Sequence, residues 1–214
     1  MNRTFRRMAL VTGTTTATLT LAVATAQAAP VTLSEGHVDV VDLAYEDGAL
    51  ELGLHDETTG TPVERDPAEV TLHVKAEAET TVPDNAAYSF LGTPGAPVWV
   101  LPQTNDPNLL YAGWAGHELP AGAFQGDTVS LNLTAVDGPA DVSVYDVEAG
   151  SPVKHFDSGD GLPDTVGVNA GDHHHTNWAF EAEGDYTLTF RATGTLTDGT
   201  TVTSQPVAYH FTVG

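Results

Sequence analysis

The stretch Val41-Asp42-Leu43-Ala44-Tyr45-Glu46-Asp47-Gly48-Ala49-Leu50-Glu51-Leu52-Gly53-Leu54 decides the fold class. Two runs in which large apolar residues alternate with polar or small ones flank an Asp-Gly pair, the signature of a hairpin closed by a two-residue turn. Setting Glu46 opposite Ala49 brings Tyr45 against Leu50, Leu43 against Leu52 and Val41 against Leu54, so every large apolar side chain falls on one face. That face is the expected core. Similar runs recur at Val70 to Val74, Ala87 to Leu91, Val98 to Leu101, Val129 to Leu133, Val142 to Tyr145, Trp178 to Phe180, Tyr186 to Phe190 and Val207 to Val213, between clusters of Gly, Pro, Asp and Asn. About ten short strands with no helical period predict an all-β chain folded as an antiparallel β-sandwich, immunoglobulin-like or jelly-roll-like.

Between Thr93 and Ala123 clear strands are few and turn residues many, so this region reads as one long decorated insertion. It carries Trp99 and Trp114, apolar mass that must cover something: either one end of the sandwich or the wall of a binding site. No repeat and no Pro/Ser-rich linker divides the rest, which predicts a single domain over residues 29–214.

Seven Lys+Arg against 29 Asp+Glu in 214 residues give a net charge of −22. Such a chain cannot hold nucleic acid through phosphate contacts, and it is repelled by anionic membranes and wall polymers. The hydrophobic fraction of 41% is too high for a disordered acidic tail. With no Cys, disulfides, thiolate zinc sites, iron–sulfur clusters and thiol nucleophiles are excluded.

The first 28 residues read as a signal peptide. Arg3, Arg6 and Arg7 precede a nearly uncharged run from Met8 to Ala24, and Ala26-Gln27-Ala28 supplies the small-residue cleavage pattern. The run is diluted by Thr, too weakly apolar for a permanent membrane helix. Removing the leader leaves Arg65, Lys75, Lys154 and Arg191 as the basic residues of an extracellular chain with no membrane-inserted segment. Its surface attracts cations.

Without thiols, the ligands open to a soft or borderline metal are imidazole and carboxylate. The local cluster is Gly171-Asp172-His173-His174-His175-Thr176-Asn177-Trp178-Ala179-Phe180. In an extended segment His173, His175 and Asn177 share one face, with successive same-face residues about 6.5–7 Å apart. Two imidazoles at that spacing can meet one ion at about 2.0–2.1 Å from each nitrogen. For a third ligand His37 is the best candidate; by parity it and Asp39 share the face of Val41, Leu43 and Tyr45. There they are either a ligand and its supporting carboxylate or polar residues at the core rim. His117, in the insertion, is a possible additional ligand. His55, His73 and His210 read as outward, and His155 as part of a polar stretch whose acids Asp157, Asp160 and Asp164 form a solvated turn rather than a calcium loop. A site joining His37 to the His173/His175 pair requires a bulge or a meeting of strand ends.

Several spaced blocks carry a resemblance to a known family. They are Leu33-Ser34-Glu35-Gly36-His37-Val38-Asp39-Val40, Tyr88-Ser89-Phe90-Leu91-Gly92 with Pro97-Val98-Trp99-Val100-Leu101-Pro102-Gln103, and the late block His173 to Phe180 followed by Gly184-Asp185-Tyr186-Thr187-Leu188-Thr189-Phe190. Together they resemble the actinobacterial surface-anchored protein domain family, the choice-of-anchor M domain. In that family the late block is similar to His-x-His-x-Asn-Trp-x-Phe, which falls on His173, His175, Asn177, Trp178 and Phe180, with His174 at the variable position. Its members are often encoded beside ABC importers whose binding proteins look like those for zinc or manganese. The resemblance therefore implies extracellular metal capture and a metal ABC-transporter binding protein as partner. The chain here closes on Ala208 to Gly214, a strand pattern without sorting motif, apolar tail or basic stop, so release or retention by a partner is expected in place of self-anchoring.

Three functions compete on these residues. A metal-binding module accounts for the His173/His175 pair and the acidic surface, with zinc favoured because nitrogen ligands suit it better than calcium. A structural or adhesive wall module would make the histidines incidental. A hydrolase fits worst: Ser89 and Ser143 have no nucleophile-elbow context, and carboxylate pairs are uninformative in so acidic a chain. The expectation is a binding module, not an enzyme. Its metal site needs neutral imidazoles and is expected to weaken below about pH 6.5.

Overall fold

The structure is a computed structural model that describes residues 30–214. The signal peptide expected over residues 1–28 lies outside the described residues. In chain order the strands are β1 (Val31–Leu33), β2 (Gly36–Glu46), β3 (Ala49–Asp56), β4 (Val63–Arg65), β5 (Val70–Val74), β6 (Glu79–Thr81), β7 (Pro97–Leu101), β8 (Leu110–Glu118), β9 (Thr128–Asp137), β10 (Val142–Glu148), β11 (Ser151–Asp157), β12 (Asp164–Asn169), β13 (His173–His175), β14 (Asn177–Phe180), β15 (Gly184–Thr195), β16 (Thr201–Thr203) and β17 (Val207–Val213). Among the described residues the helical segments are short 3-10 turns, and no helix is long and apolar enough to cross a membrane.

The strands form an all-β sandwich of three sheets. One has seven strands in the order β1-β5-β17-β15-β9-β12, with β16 on β15; the second runs β11-β10-β14-β7-β6, and the third β13-β8-β2-β3-β4. Both five-stranded sheets lay apolar faces on the large one. Trp178 of β14 stacks on Phe211 of β17 with ring centroids 5.8 Å apart, and the Tyr209 hydroxyl of β17 donates to the Gly53 carbonyl of β3 at 2.9 Å. Leu43, Leu131, Trp178, Phe190 and Phe211 from the three sheets meet in one core. The sheets are more mixed than alternation predicts, because β1 with β5, β5 with β17 and β2 with β8 pair in parallel. Alternation reports which face a residue takes and is blind to strand direction.

The hairpin of β2 and β3 has the expected register from Glu46/Ala49 to Leu43/Leu52. Asp47 and Gly48 both adopt positive φ, 48° and 85°, as its tight turn requires. Beyond Asp42 the register departs from expectation: Asp42 pairs with Gly53 but Asp39 with His55, so β2 carries one extra residue. This bulge turns both Val40 and Val41 into the core, each fully buried, and reverses the parity of everything before it. His37 and Asp39 thereby leave the face of Leu43 and Tyr45.

Two further expectations change. Ala87 to Leu91 is not a strand; Ala86–Leu91 forms a 3-10 turn begun by Asn85, whose side chain accepts from the Ala87 amide at 3.0 Å. The region from Thr93 to Ala123 contributes β7 and β8, and β8 lies between β13 and β2. Trp99 and Trp114 are core residues of these strands.

Candidate metal centre

The third sheet brings the candidate ligands together. Asp39 of β2 pairs with Gly113 of β8, and Gly113 with His175 of β13. Two residues from Gly113 in opposite directions along β8, His173 stands beside Ala115 and His37 of β2 beside Tyr111. Directly opposed residues share a face, so the bulge in β2 puts His37 and Asp39 on the same side of the sheet as His173 and His175. Gly113 is the row's gap. A Cβ there would lie 2.9 Å from His175 Nδ1 and 2.4 Å from the His174 carbonyl oxygen. The Tyr111 ring then stacks flat on His175, with centroids 3.6 Å apart and planes at 10°.

Four side-chain atoms converge. His173 Nε2 lies 3.0 Å from His37 Nε2 and 3.0 Å from His175 Nε2. Asp39 Oδ1 lies 2.9, 3.6 and 3.9 Å from the Nε2 atoms of His173, His37 and His175. Edges between ligands in a tetrahedral zinc site are about 3.3–3.4 Å, from bonds of about 2.0–2.1 Å, and the observed separations bracket that figure. Asp39 is 1% exposed, yet its Oδ1 has no hydrogen-bond partner. A buried carboxylate oxygen without a well-formed hydrogen bond is costly unless a cation compensates it.

The surroundings hold the imidazoles in ligand form. Glu57 Oε2 accepts from His37 Nδ1 at 2.7 Å, which leaves the Nε2 lone pair facing the cluster. Burial, reinforced by the nearby His37 and His173, pushes His175 down to about 4, so it is neutral at neutral pH. His173 and His37 keep 34% and 23% of their side-chain surface exposed, which opens the centre to solvent on one side.

His117 reaches only the margin. It is exposed, and its ring lies edge-on to His173 with centroids 5.0 Å apart, but it is not among the residues whose ligand atoms lie within 4.8 Å of one another. Asn177 departs from expectation altogether. The chain leaves the third sheet at Thr176 and enters the second as β14, which ends the alternation that would put Asn177 beside the histidines. Its amide instead donates to Gln103 Oε1 at 2.7 Å and the Tyr145 carbonyl at 2.9 Å, and its Oδ1 accepts from the Gln103 amide at 3.0 Å. Asn177 is a clamp between strands of the second sheet and the segment after β7.

Two neighbouring groups were not foreseen. The row across the third sheet continues from Asp39 to His55 of β3 and Glu64 of β4. His55 Nδ1 bonds to Glu64, and its Nε2 lies 3.4 Å from Glu57, so Glu57 joins His55 to His37. Burial lowers the His55 pKa, but the hydrogen bonds to Glu64 and Glu57 outweigh it and hold it above its ordinary value. Asp42 completes this group, pushed up to about 7 by burial and then by the charges of Glu64, Glu118 and Asp39. The other group, Asp146, His155 and His174, belongs to the opposite side of β13. The sequence signal for the first was the pair Val40-Val41, two core residues in succession where alternation allows one. In the acidic turn after His155, Lys154 bridges Asp157 and Asp160, each at 2.6 Å. Several His/Asp/Glu groups could thus hold a divalent ion. Comparison of the chain with protein-family models, with curated proteins and with solved structures finds no match in any of the three.

Proposed function

We propose that the chain is an extracellular binding module for a divalent transition metal, held by His37, Asp39, His173 and His175, with zinc the favoured ion. The convergence of three imidazole nitrogens on a buried carboxylate oxygen that makes no well-formed hydrogen bond carries this reading. Three nitrogens and one oxygen suit zinc better than calcium or magnesium, which take oxygen ligands. When bound, the ion supplies the positive charge that Asp39 Oδ1 otherwise lacks. Glu57 sets the His37 tautomer, Tyr111 holds the His175 ring, and Gly113 lets β13 and β2 approach. The exposed side of His173 and His37 gives an ion a way in and out, which suits capture and release. The resemblance to the surface-anchored domain family supports secretion and handover to the binding protein of an ABC-type metal importer.

Calorimetric titration of metal-stripped protein with zinc, beside a His173→Ala/His175→Ala variant, tests the centre. The tightest binding event should vanish in the variant. Equal affinity in the two proteins overturns the site, and no binding tighter than about 0.1 mM in either, about −5.5 kcal/mol, leaves the structural or adhesive wall module in its place.

A further inference from the structure

His174 sits between two histidines of the proposed centre and faces away from both. It pairs with Trp114 of β8, so strand alternation sends its ring to the other side of β13. There His174 Nε2 lies 2.8 Å from Asp146 Oδ2, and His155 Nε2 lies 2.8 Å from the same oxygen. The placement of His155 is a second product of a bulge. Val144 pairs with Phe156 and Tyr145 with Lys154, so His155 is the extra residue of β11, freed from the regular pairing and re-aimed. Trp114 backs both rings, with centroids 4.8 Å from His174 and 5.3 Å from His155.

Hydrogen bonding leaves this group incomplete. A carboxylate offers about four acceptor positions over two oxygens, yet both imidazoles crowd onto Oδ2 while the Asp146 Oδ1 is buried without a partner. The Asp146 side chain is only 7% exposed. A cavity of about 450 Å³, whose lining includes Trp114, Lys154, His155, Asp172, His173 and His174, opens on the two imidazoles. Two imidazole nitrogens at the wall of a solvent-reached cavity, meeting one buried carboxylate oxygen behind them, form the donor set of a three-ligand transition-metal site with positions left for exogenous ligands.

We infer that Asp146, His155 and His174 form a second, open site for a divalent first-row transition metal, on the opposite face of β13 from the proposed centre. It shares no ligand with that centre and stands or falls independently of it. With three protein ligands where the first has four, it binds the more weakly of the two. The strand His173–His175 then serves two ions, one on each face.

Zinc stoichiometry of the metal-stripped full chain, read by titration and by elemental analysis after gel filtration, tests the inference with the variants His155→Gln and His37→Ala. The wild type should take two equivalents; His155→Gln should lose the weaker and keep the tighter, and His37→Ala the reverse. One wild-type equivalent that survives His155→Gln, or two retained by His155→Gln, overturns the second site. One wild-type equivalent lost in His155→Gln and kept in His37→Ala sustains it while removing the proposed centre. Near-ultraviolet circular dichroism checks each fold, and His174→Gln, read by the same stoichiometry, replaces His155→Gln if that variant does not fold.

Discussion

Gly113 separates Asp39 from His175 in the row across β2, β8 and β13, and no other residue fits there. A methyl group at this position would press on the backbone carbonyl of His174 at 2.4 Å, and backbone cannot rotate aside. Gly113→Ala should cost about 2–3 kcal/mol of stability by overpacking, measured by urea unfolding, and weaken zinc binding at least about tenfold, about 1.4 kcal/mol. Unchanged affinity would show that the strands need not approach so closely. Glu57→Gln leaves the strands alone but removes the charge that orients His37; about 10–100-fold weaker zinc binding is expected by calorimetry, the usual cost of losing such a support. Asp42 contributes a pH dependence of its own to stability. Its carboxyl is buried, with Oδ1 unpartnered, and is raised from 3.8 to about 7 by burial first. The folded chain therefore keeps a proton that the unfolded chain releases. The Asp42 contribution to stability falls as pH rises from about 4 to 7, by at most about 4 kcal/mol for three pH units. Asp42→Asn should remove that slope and gain about 1–3 kcal/mol at pH 8, so urea curves for the two proteins that stay parallel between pH 5 and pH 8 would refute it.

Two bulges, one in β2 and one in β11, place the candidate ligands His37, Asp39 and His155. Deleting Val40 restores unbroken alternation in β2 and drives His37 and Asp39 toward the core. The deletion should cost at least about 3 kcal/mol by burying polar groups without partners and should abolish zinc binding. Native-like stability of that variant would mean the bulge does not set the parity. The core face of the hairpin was legible because Tyr45, Leu43, Leu50 and Leu52 sit at period two on either side of an Asp-Gly turn. The candidate residues His37, Asp39, His173 and His175 were legible as residues but not as neighbours, since one inserted residue inverts parity and leaves composition unchanged. The expected role for Asn177 failed at Thr176, where the chain changes sheets; only pairing partners far along the chain decide that switch. His155 and Asp146 escaped notice because their meeting depends on an unpaired residue in β11 and on the approach of a strand some 28 residues away.

At the scale of the whole molecule, 29 acids against few bases load the chain with negative charge, and each bound cation relieves part of that repulsion. Zinc at about 100 times its dissociation constant should add about 2.7 kcal/mol to stability, raising the melting temperature by about 5–10 °C for a domain of this size. A thermal-shift measurement with zinc, then with excess chelator, reads this; a melting temperature indifferent to both would count against any ion held by the folded state alone. The cluster joins His37 to a residue 136 positions further along the chain. An ion there would tie together segments further apart in the chain than most disulfides span, and it would stabilise the fold by binding the folded state alone. In a protein without cysteine, an ion held there would be a staple that no reductant can cut and that metal starvation or acid would open, so the mechanical integrity of the folded module would report the supply of metal around it.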